Sequence, residues 1–116
     1  MVHKSFSAAD RRKAAPLFAA LGDTARLTMI ARLARDGPLA TIELTKDAGV
    51  TRQAITKHLQ VLESAGLVTS DRVGRDREWR VQSDKLAAAR AYLDQISEQW
   101  DMRLARLKAF VEHEGQ

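Results

Sequence analysis

Thr51 to Leu67 reads TRQAITKHLQVLESAGL, and this stretch decides the fold. Thr51 is a good helix N-cap, Gly66 a good stop, and the apolar residues between them recur at helical spacing. At about 100° per residue, Ala54, Ile55, Leu59, Val61, Leu62 and Ala65 are expected on one arc, with Gln53, Thr56, Lys57, Gln60 and Ser64 opposite. The first arc is expected to pack inward. The second is left free, and its first turns carry Arg52, Gln53, Thr56 and Lys57 with no acid before Glu63. An acid there would favour the helix dipole, so its absence is locally suboptimal for stability and suits a surface that meets phosphate.

The flanks complete a motif. On the N-terminal side, Thr41 is expected to cap a short helix with Leu44 and Ala48 inward, Gly49 to break it, and Val50 to act as a buried hinge residue. Two helices joined by a tight, glycine-containing turn are a helix-turn-helix signature. On the C-terminal side, Leu67 to Val73 and Glu78 to Val81 read as two short strands around the turn Gly74-Arg75-Asp76-Arg77. An amphipathic helix with an Arg/Gln/Thr/Lys face, followed by a basic hairpin, is a device for reading duplex DNA.

The chemistry of base edges assigns roles to these residues. Gln53 suits a bidentate contact to adenine, Arg52 or Lys57 can reach guanine O6 and N7, and Thr56 can touch a thymine methyl group. Gln60 continues the same face. Thr41 and Thr51 are first of all N-caps, and either hydroxyl can also donate to a phosphate. Arg75 and Arg77 are expected to project from the hairpin tip towards the minor groove or its phosphates, unless they form only a solvated basic turn. His58 is open: it lies within the apolar arc, and either fixes the helix to its neighbour or contacts DNA. Trp79, alternating with Arg80, reads as core.

Further out, Ser7-Ala8-Ala9-Asp10 has capping-box spacing and starts a helix. Pro16 either bends that helix or opens a second one; Phe18 and Leu21 face inward and Gly22 closes the segment. Asp23 caps a helix over Thr24 to Arg35, with Leu27, Ile30, Ala31, Leu33 and Ala34 on one side, ended by Asp36-Gly37-Pro38. From about Ser83 the chain is helical to its end. There Leu86, Ala89, Leu93, Ile96, Trp100, Leu104, Leu107 and Val111 make an apolar stripe about seven turns long.

Composition bounds the function. At 116 residues the chain is read as a single domain over 1–116, with no internal repeat. The absence of cysteine excludes disulfides, thiolate metal sites and a cysteine nucleophile. Every apolar run is broken by charge, so neither a signal peptide nor a membrane span is expected, and the cytoplasm is the expected compartment. Nineteen Lys and Arg against fifteen Asp and Glu leave a formal charge of +4. The excess clusters at Lys4, Arg11, Arg12 and Lys13 and again at Arg72, Arg75, Arg77 and Arg80, which fits an anionic partner but alone is also what a solvated face looks like. Three histidines in no nucleophile-base arrangement, with no glycine-rich phosphate loop and no paired carboxylates, give no basis for an enzyme.

Three separated motifs then carry a resemblance. Phe18-Ala19-Ala20-Leu21-Gly22-Asp23-Thr24-Ala25-Arg26-Leu27 with Glu43-Leu44, Thr56-Lys57-His58-Leu59-Gln60-Val61-Leu62-Glu63-Ser64-Ala65-Gly66-Leu67-Val68, and Gly74-Arg75 with Trp79-Arg80-Val81 resemble the ArsR/SmtB family of bacterial regulators. The likeness runs in register from about Ala15 to Val81. It implies a mainly α fold with a β-hairpin wing, a winged helix-turn-helix whose DNA-binding core spans about 23–81, with a dimerisation helix over about 83–113. It also implies a homodimeric repressor on an inverted-repeat operator of double-stranded DNA. The family's use of its first and last helices as dimer interface points to Phe18, Leu93, Ile96, Trp100, Leu104, Leu107 and Val111. Independently, the last stripe is too long for so small a domain to cover; a coiled extension folding back on its own core is the other option.

The departures matter as much. Where many members carry Cys-x-Cys after the Glu-Leu pair, this chain has Thr45 and Asp47. On the last helix, where others place Asp-x-His and a second His with Glu or His, Asp94 is followed by Ile96 and His113 by Gln116. Zinc wants about four ligands in a closed tetrahedron, so no metal and no cofactor is expected, leaving open only an unusual site between subunits from Asp94 and His113. An inducer, if any, would be a small molecule or a protein. The competing reading is a winged-helix protein-interaction module whose basic face is incidental.

Overall fold

The computed structural model describes residues 6–46 and 48–114. Lys4, Asp47 and Gln116, which entered the sequence reading, lie outside the described residues. The order is α1 (Ala8–Leu21), α2 (Thr24–Asp36), β1 (Leu39–Ala40), α3 (Thr41–Thr45), α4 (Arg52–Ser64), β2 (Val68–Val73), β3 (Asp76–Val81) and α5 (Ser83–Glu114). This is a winged helix-turn-helix with helical extensions at both ends.

Local chemistry explains most boundaries. Ser7 and Asp10 form the capping box that starts α1, the Ser7 hydroxyl accepting from the Asp10 N–H at 3.1 Å while the Asp10 carboxylate accepts from the Ser7 N–H at 2.9 Å. α1 is one helix with Pro16 inside it, so the Arg12 carbonyl receives no N–H from residue 16. Asp23 caps α2 through the Arg26 N–H at 3.1 Å. α4 starts on the Thr51 hydroxyl, which accepts from the Ala54 N–H at 3.1 Å. It ends where Gly66, at φ +81°, lets Leu67 N–H reach the Leu62 carbonyl at 3.0 Å and Gly66 N–H reach Glu63 at 2.9 Å.

The core gathers Leu17 and Ala20 of α1, Met29, Ile30 and Leu33 of α2, Leu44, and Ile55, Leu59 and Leu62 of α4, with Leu67, Val68, Trp79 and Ala89. Several inward expectations fail for one reason: an apolar stripe can be wider than the surface that covers it. In α2 the buried line is Met29, Ile30 and Leu33; Leu27 lies more than a quarter-turn away and is exposed, as are Ala31 and Ala34. In α4 Val61 sits about 120° from the Ile55–Leu59–Leu62 line and is exposed too. Phe18 and Leu21 are half-buried.

α3 is shorter than the sequence suggests and begins one residue earlier than a Thr41 cap would place it. Its N-cap is Ala40, towards whose N–H the Glu43 carboxylate reaches at 3.4 Å, and Arg32 holds the carbonyls of Glu43 and Leu44 at 3.1 and 3.3 Å. A cation on the unsatisfied carbonyls supports a helix too short to stand alone. Because α3 ends at Thr45, the connection to α4 swings outward: Ala48 and Val50 are exposed, not inward, and Gly49 turns at φ +69°.

The sheet has the order β1-β3-β2, all antiparallel. Its third strand, β1, pairs Leu39 with Trp79 and Ala40 with Glu78; two residues are too few to show alternation in sequence. The wing closes through Val73 opposite Asp76 over the two-residue turn Gly74-Arg75, with Gly74 at φ +63°. Asp76 and Arg77 therefore belong to β3 and not to the tip. α5 is about 48 Å long at 1.5 Å per residue, within a molecule 71 Å in its long dimension. The radius of gyration, 19.5 Å, exceeds the roughly 13 Å of a compact chain of this size, because α5 stands out as an arm.

Candidate nucleic-acid interface

α4 presents a face that the other described residues leave largely open. Gln53, Lys57 and Gln60 are exposed and, with Arg52 and Thr56, line one shallow open trough along the helix. Thr56 is half-buried, and its hydroxyl donates to the Arg52 carbonyl at 3.0 Å, which leaves its methyl group as the outward chemistry. No acid stands in the first turn of α4, so the positive end of the helix is uncompensated by its own side chains. Thr51 is exposed, and its hydroxyl, accepting from Ala54, still has its own proton to donate.

Two residues from the sequence reading sit elsewhere. Thr41 is buried at 4 % exposure, where its hydroxyl accepts from Trp79 Nε1 at 2.9 Å and lies 3.4 Å from the Arg77 carbonyl. It is neither an N-cap nor a phosphate donor; it satisfies the indole of a buried tryptophan. His58 is half-buried on the flank of α4 that meets α2, its Nδ1 3.3 Å from an Arg26 guanidinium nitrogen and 3.9 Å from the Asp23 carboxylate. Arg26 also donates to the Ala20 carbonyl at 2.6 Å, so His58 belongs to the junction of α1, α2 and α4. At that junction the Arg26 N–H, bonded to its carboxylate, holds Asp23 below the usual carboxylate range against a desolvation that pushes it up, with Arg26 and His58 charges adding to the lowering.

The wing has two unlike faces. Arg72 and Arg77 are direct cross-strand partners, and like charges placed so are destabilising until an anion joins them. The Arg77 guanidinium lies back across the hairpin, its Nε donating to Ser70 Oγ at 3.0 Å, and Ser70 in turn donates to Glu63 of α4 at 2.9 Å. Arg75 is the exposed arginine of the turn. On the other face Asp71 opposes Glu78, and Arg80 pairs with Asp71, which raises the arginine further.

Asp76 was not singled out by the sequence, yet it is the most connected side chain of the interface. Its carboxylate accepts from the Arg77 N–H at 2.6 Å, the Ile42 N–H at 3.1 Å and the Arg52 guanidinium at 3.3 Å. Desolvation pushes its pKa up, but the Arg77 N–H, the Thr41 hydroxyl, the Ile42 N–H and the Arg52 charge outweigh it and hold it below the usual range. The signal that could have found it is an acid set directly between two arginines, Arg75 and Arg77.

The residues assigned to self-association lie on the arm, except Phe18, which is half-buried on α1. Leu93, Ile96, Trp100, Leu104, Leu107 and Val111 are 44–60 % exposed, with Met102 and Phe110 beside them. α5 is fixed to α1 by an aromatic cluster in which Tyr92 meets Phe6 at 4.7 Å and Phe18 at 6.0 Å between ring centroids. Asp94 lies 3.7 Å from Arg90, His113 is exposed, and among the described residues no three His, Asp or Glu side chains gather around a common point. No helix among them is long and apolar enough to cross a membrane.

Known proteins share this arrangement. The helix-turn-helix domain family matches residues 21–71. The HTH-type transcriptional regulator Rv2034 of Mycobacterium tuberculosis is 38% identical over 96 residues, covering 83% of this chain and 86% of that protein. An ArsR-like transcriptional regulator from Rhodococcus sp. RHA1 superimposes with a TM-score of 0.74 at 35% identity, over 88% of this chain and 95% of the other. The AntR antimony-specific transcriptional repressor does so with a TM-score of 0.65 at 25% identity, over 84% and 89%. These relatives are regulators and not enzymes, and with that identity over most of both chains the present chain belongs to the ArsR family of winged helix-turn-helix, DNA-binding transcriptional regulators.

Proposed function

We propose that the chain acts as a cytoplasmic homodimeric repressor, each subunit placing the outer face of α4 in the major groove of one half of an inverted-repeat operator. The observation that carries this reading is the outward face of Arg52, Gln53, Thr56, Lys57 and Gln60, to which α4 contributes no acid of its own before Glu63. Gln53 and either Arg52 or Lys57 meet base edges, Thr56 offers a methyl group, and Thr51 donates to a phosphate. Arg75 reaches the neighbouring phosphates or minor groove from the wing, with Arg72 and Arg77 adding charge behind it. Asp23–Val81 forms the DNA-binding core and residues 83–113 the dimerisation helix, seated with Phe18 against a second copy.

The AntR relative is a transcriptional repressor; antimony does not carry over, because soft semimetals want thiolates and this chain has no cysteine. Release by a small molecule or a protein partner fits that absence.

The test is selection of bound duplexes from a random pool, with and without divalent metals, at several salt concentrations. An inverted repeat should emerge, and the affinity should fall steeply with salt as phosphates give up their counterions. Equal affinity for every duplex with little salt dependence would end this reading. A change of affinity with zinc would overturn the metal-free part of it alone.

A further inference from the structure

A carboxylate on a phosphate-binding surface is an anomaly. Asp76 lies among Arg52, Arg72, Arg75 and Arg77, where on charge alone its removal should help DNA binding. It is nevertheless half-buried, while those four arginines are exposed. Its partners belong to three different elements: Ile42 in the first turn of α3, Arg52 at the first residue of α4, and Arg77 at the start of β3. The opposite end of α4 has its own tie to the wing, from Glu63 through Ser70 to Arg77. Between them the two ties hold the hairpin to both ends of the helix that faces DNA.

We propose that Asp76 is a specificity-determining residue: it fixes the wing and Arg52 in one position relative to the α4 face, and trades affinity for any duplex against discrimination between duplexes. The inference rests on the DNA-binding reading of α4 and the wing given above. With Asp76 in place, the Arg52 guanidinium is oriented and partly neutralised, so it is less available to a phosphate at an arbitrary site. Only a site whose bases and phosphates match the held geometry collects every contact at once. Without Asp76, Arg52 becomes a mobile cation, and the wing is tied to α4 at one end only.

Opposite signs follow for two kinds of DNA, which neither a simple charge effect nor a simple loss of structure produces. For Asp76→Ala in the full-length chain, binding to a scrambled duplex should tighten about threefold, as expected for one lost surface charge. Binding to the selected inverted repeat should weaken about tenfold, the scale of one misplaced base contact. The salt slope on scrambled DNA should steepen by about one, because the released Arg52 now meets a phosphate. Asp76→Asn is the second variant. Its amide keeps one acceptor for Arg77 and Arg52 but turns a donor towards the Ile42 N–H, so its discrimination should fall between the other two.

Equilibrium binding of wild type and both variants to the two duplexes, with thermal melting as a check on folding, decides the matter. Weakening of both duplexes by the same factor, or tightening of both, overturns the proposal; if Asp76→Ala does not fold, Asp76→Asn is judged by the same criteria. A wild type with no preference between the duplexes would instead sink the DNA reading itself, and with it the proposal.

Discussion

α4 and α5 carry the same kind of apolar periodicity and meet opposite fates. α4 is 13 residues long, capped by Thr51, stopped at Gly66, and its inward line of Ile55, Leu59 and Leu62 is 0–1 % exposed. α5 is 32 residues long, and beyond Ala89 its stripe emerges into solvent, with Leu93, Trp100, Leu107 and Val111 at 51–60 % exposure. The difference lies in geometry and not in sequence pattern. α4 fits within the width of the domain, whereas α5 outruns it. Periodicity says that a face should be covered; only dimensions say whether the same chain can cover it.

The sharpest way to break that contrast is to make the arm polar. Trp100→Asp combined with Leu107→Asp should abolish self-association while leaving the core around Leu59 folded. A dimer on two half-sites gains from the high effective concentration of its second head, so operator affinity should fall by about 10² to 10⁴. Sedimentation and binding measurements on one sample check this. A variant that stays dimeric, or binds as tightly when monomeric, would show that α5 is not what joins the copies.

The complementary change probes α4. Leu59→Ala removes a side chain at 0 % exposure and should destabilise by about 3 kcal/mol in urea unfolding. Leu104→Ala on the exposed arm, measured in the monomeric background, should change stability by less than about 0.5 kcal/mol, since there it leaves no cavity. Similar costs for both would erase the distinction drawn between the two helices.

On the outer side of α4 the effects move from stability to recognition. Gln53→Ala should leave unfolding unchanged and relax discrimination at one base pair by roughly 1–3 kcal/mol. Lys57→Ala separates two roles: a phosphate contact weakens all duplexes alike and lowers the salt slope by about 0.9, whereas a guanine contact is lost at one position only. Comparing selected and scrambled duplexes distinguishes them.

What the sequence discloses about this fold is what local chemistry writes into it. Ser7 with Asp10, Asp23, Thr51 and Gly66 set helix ends through bonds reaching three to five residues, and each end lies where those residues place it. What it conceals depends on partners far along the chain. Thr41 reads as a cap until Trp79, 38 residues on, takes its hydroxyl; β1 is invisible until β3 pairs with it. Val61 and Leu27 look inward because apolar character does not report which arc a neighbour occupies. Asp76 stayed hidden because its partners, Ile42 and Arg52, are 34 and 24 residues away. The outer face of α4 is readable because its exposed side chains, Gln53, Lys57 and Gln60, follow from helical periodicity alone, whereas the fate of His58 is not, since Arg26 decides it.

The smallest effect concerns the α2 cap at that same junction. Asp23 holds its proton less tightly when folded than when unfolded, chiefly because its carboxylate accepts from the Arg26 N–H. A lowered folded-state value means a contribution that is complete above the ordinary carboxylate value of 3.8 and drains away as pH falls through the lower, folded one. Asn is about as good an N-cap as Asp but does not titrate. Asp23→Asn should therefore unfold at nearly the wild-type midpoint at pH 7, and the stability difference between the two should shift in favour of the variant as pH falls below 4. Parallel melting curves at pH 7 and pH 3 provide the reading, with the wild type losing slightly more than the variant between them. Equal losses would mean that the Asp23 carboxylate is not held by the Arg26 N–H in solution, and that the junction joining α1, α2 and α4 is looser than the buried core of α4 beside it.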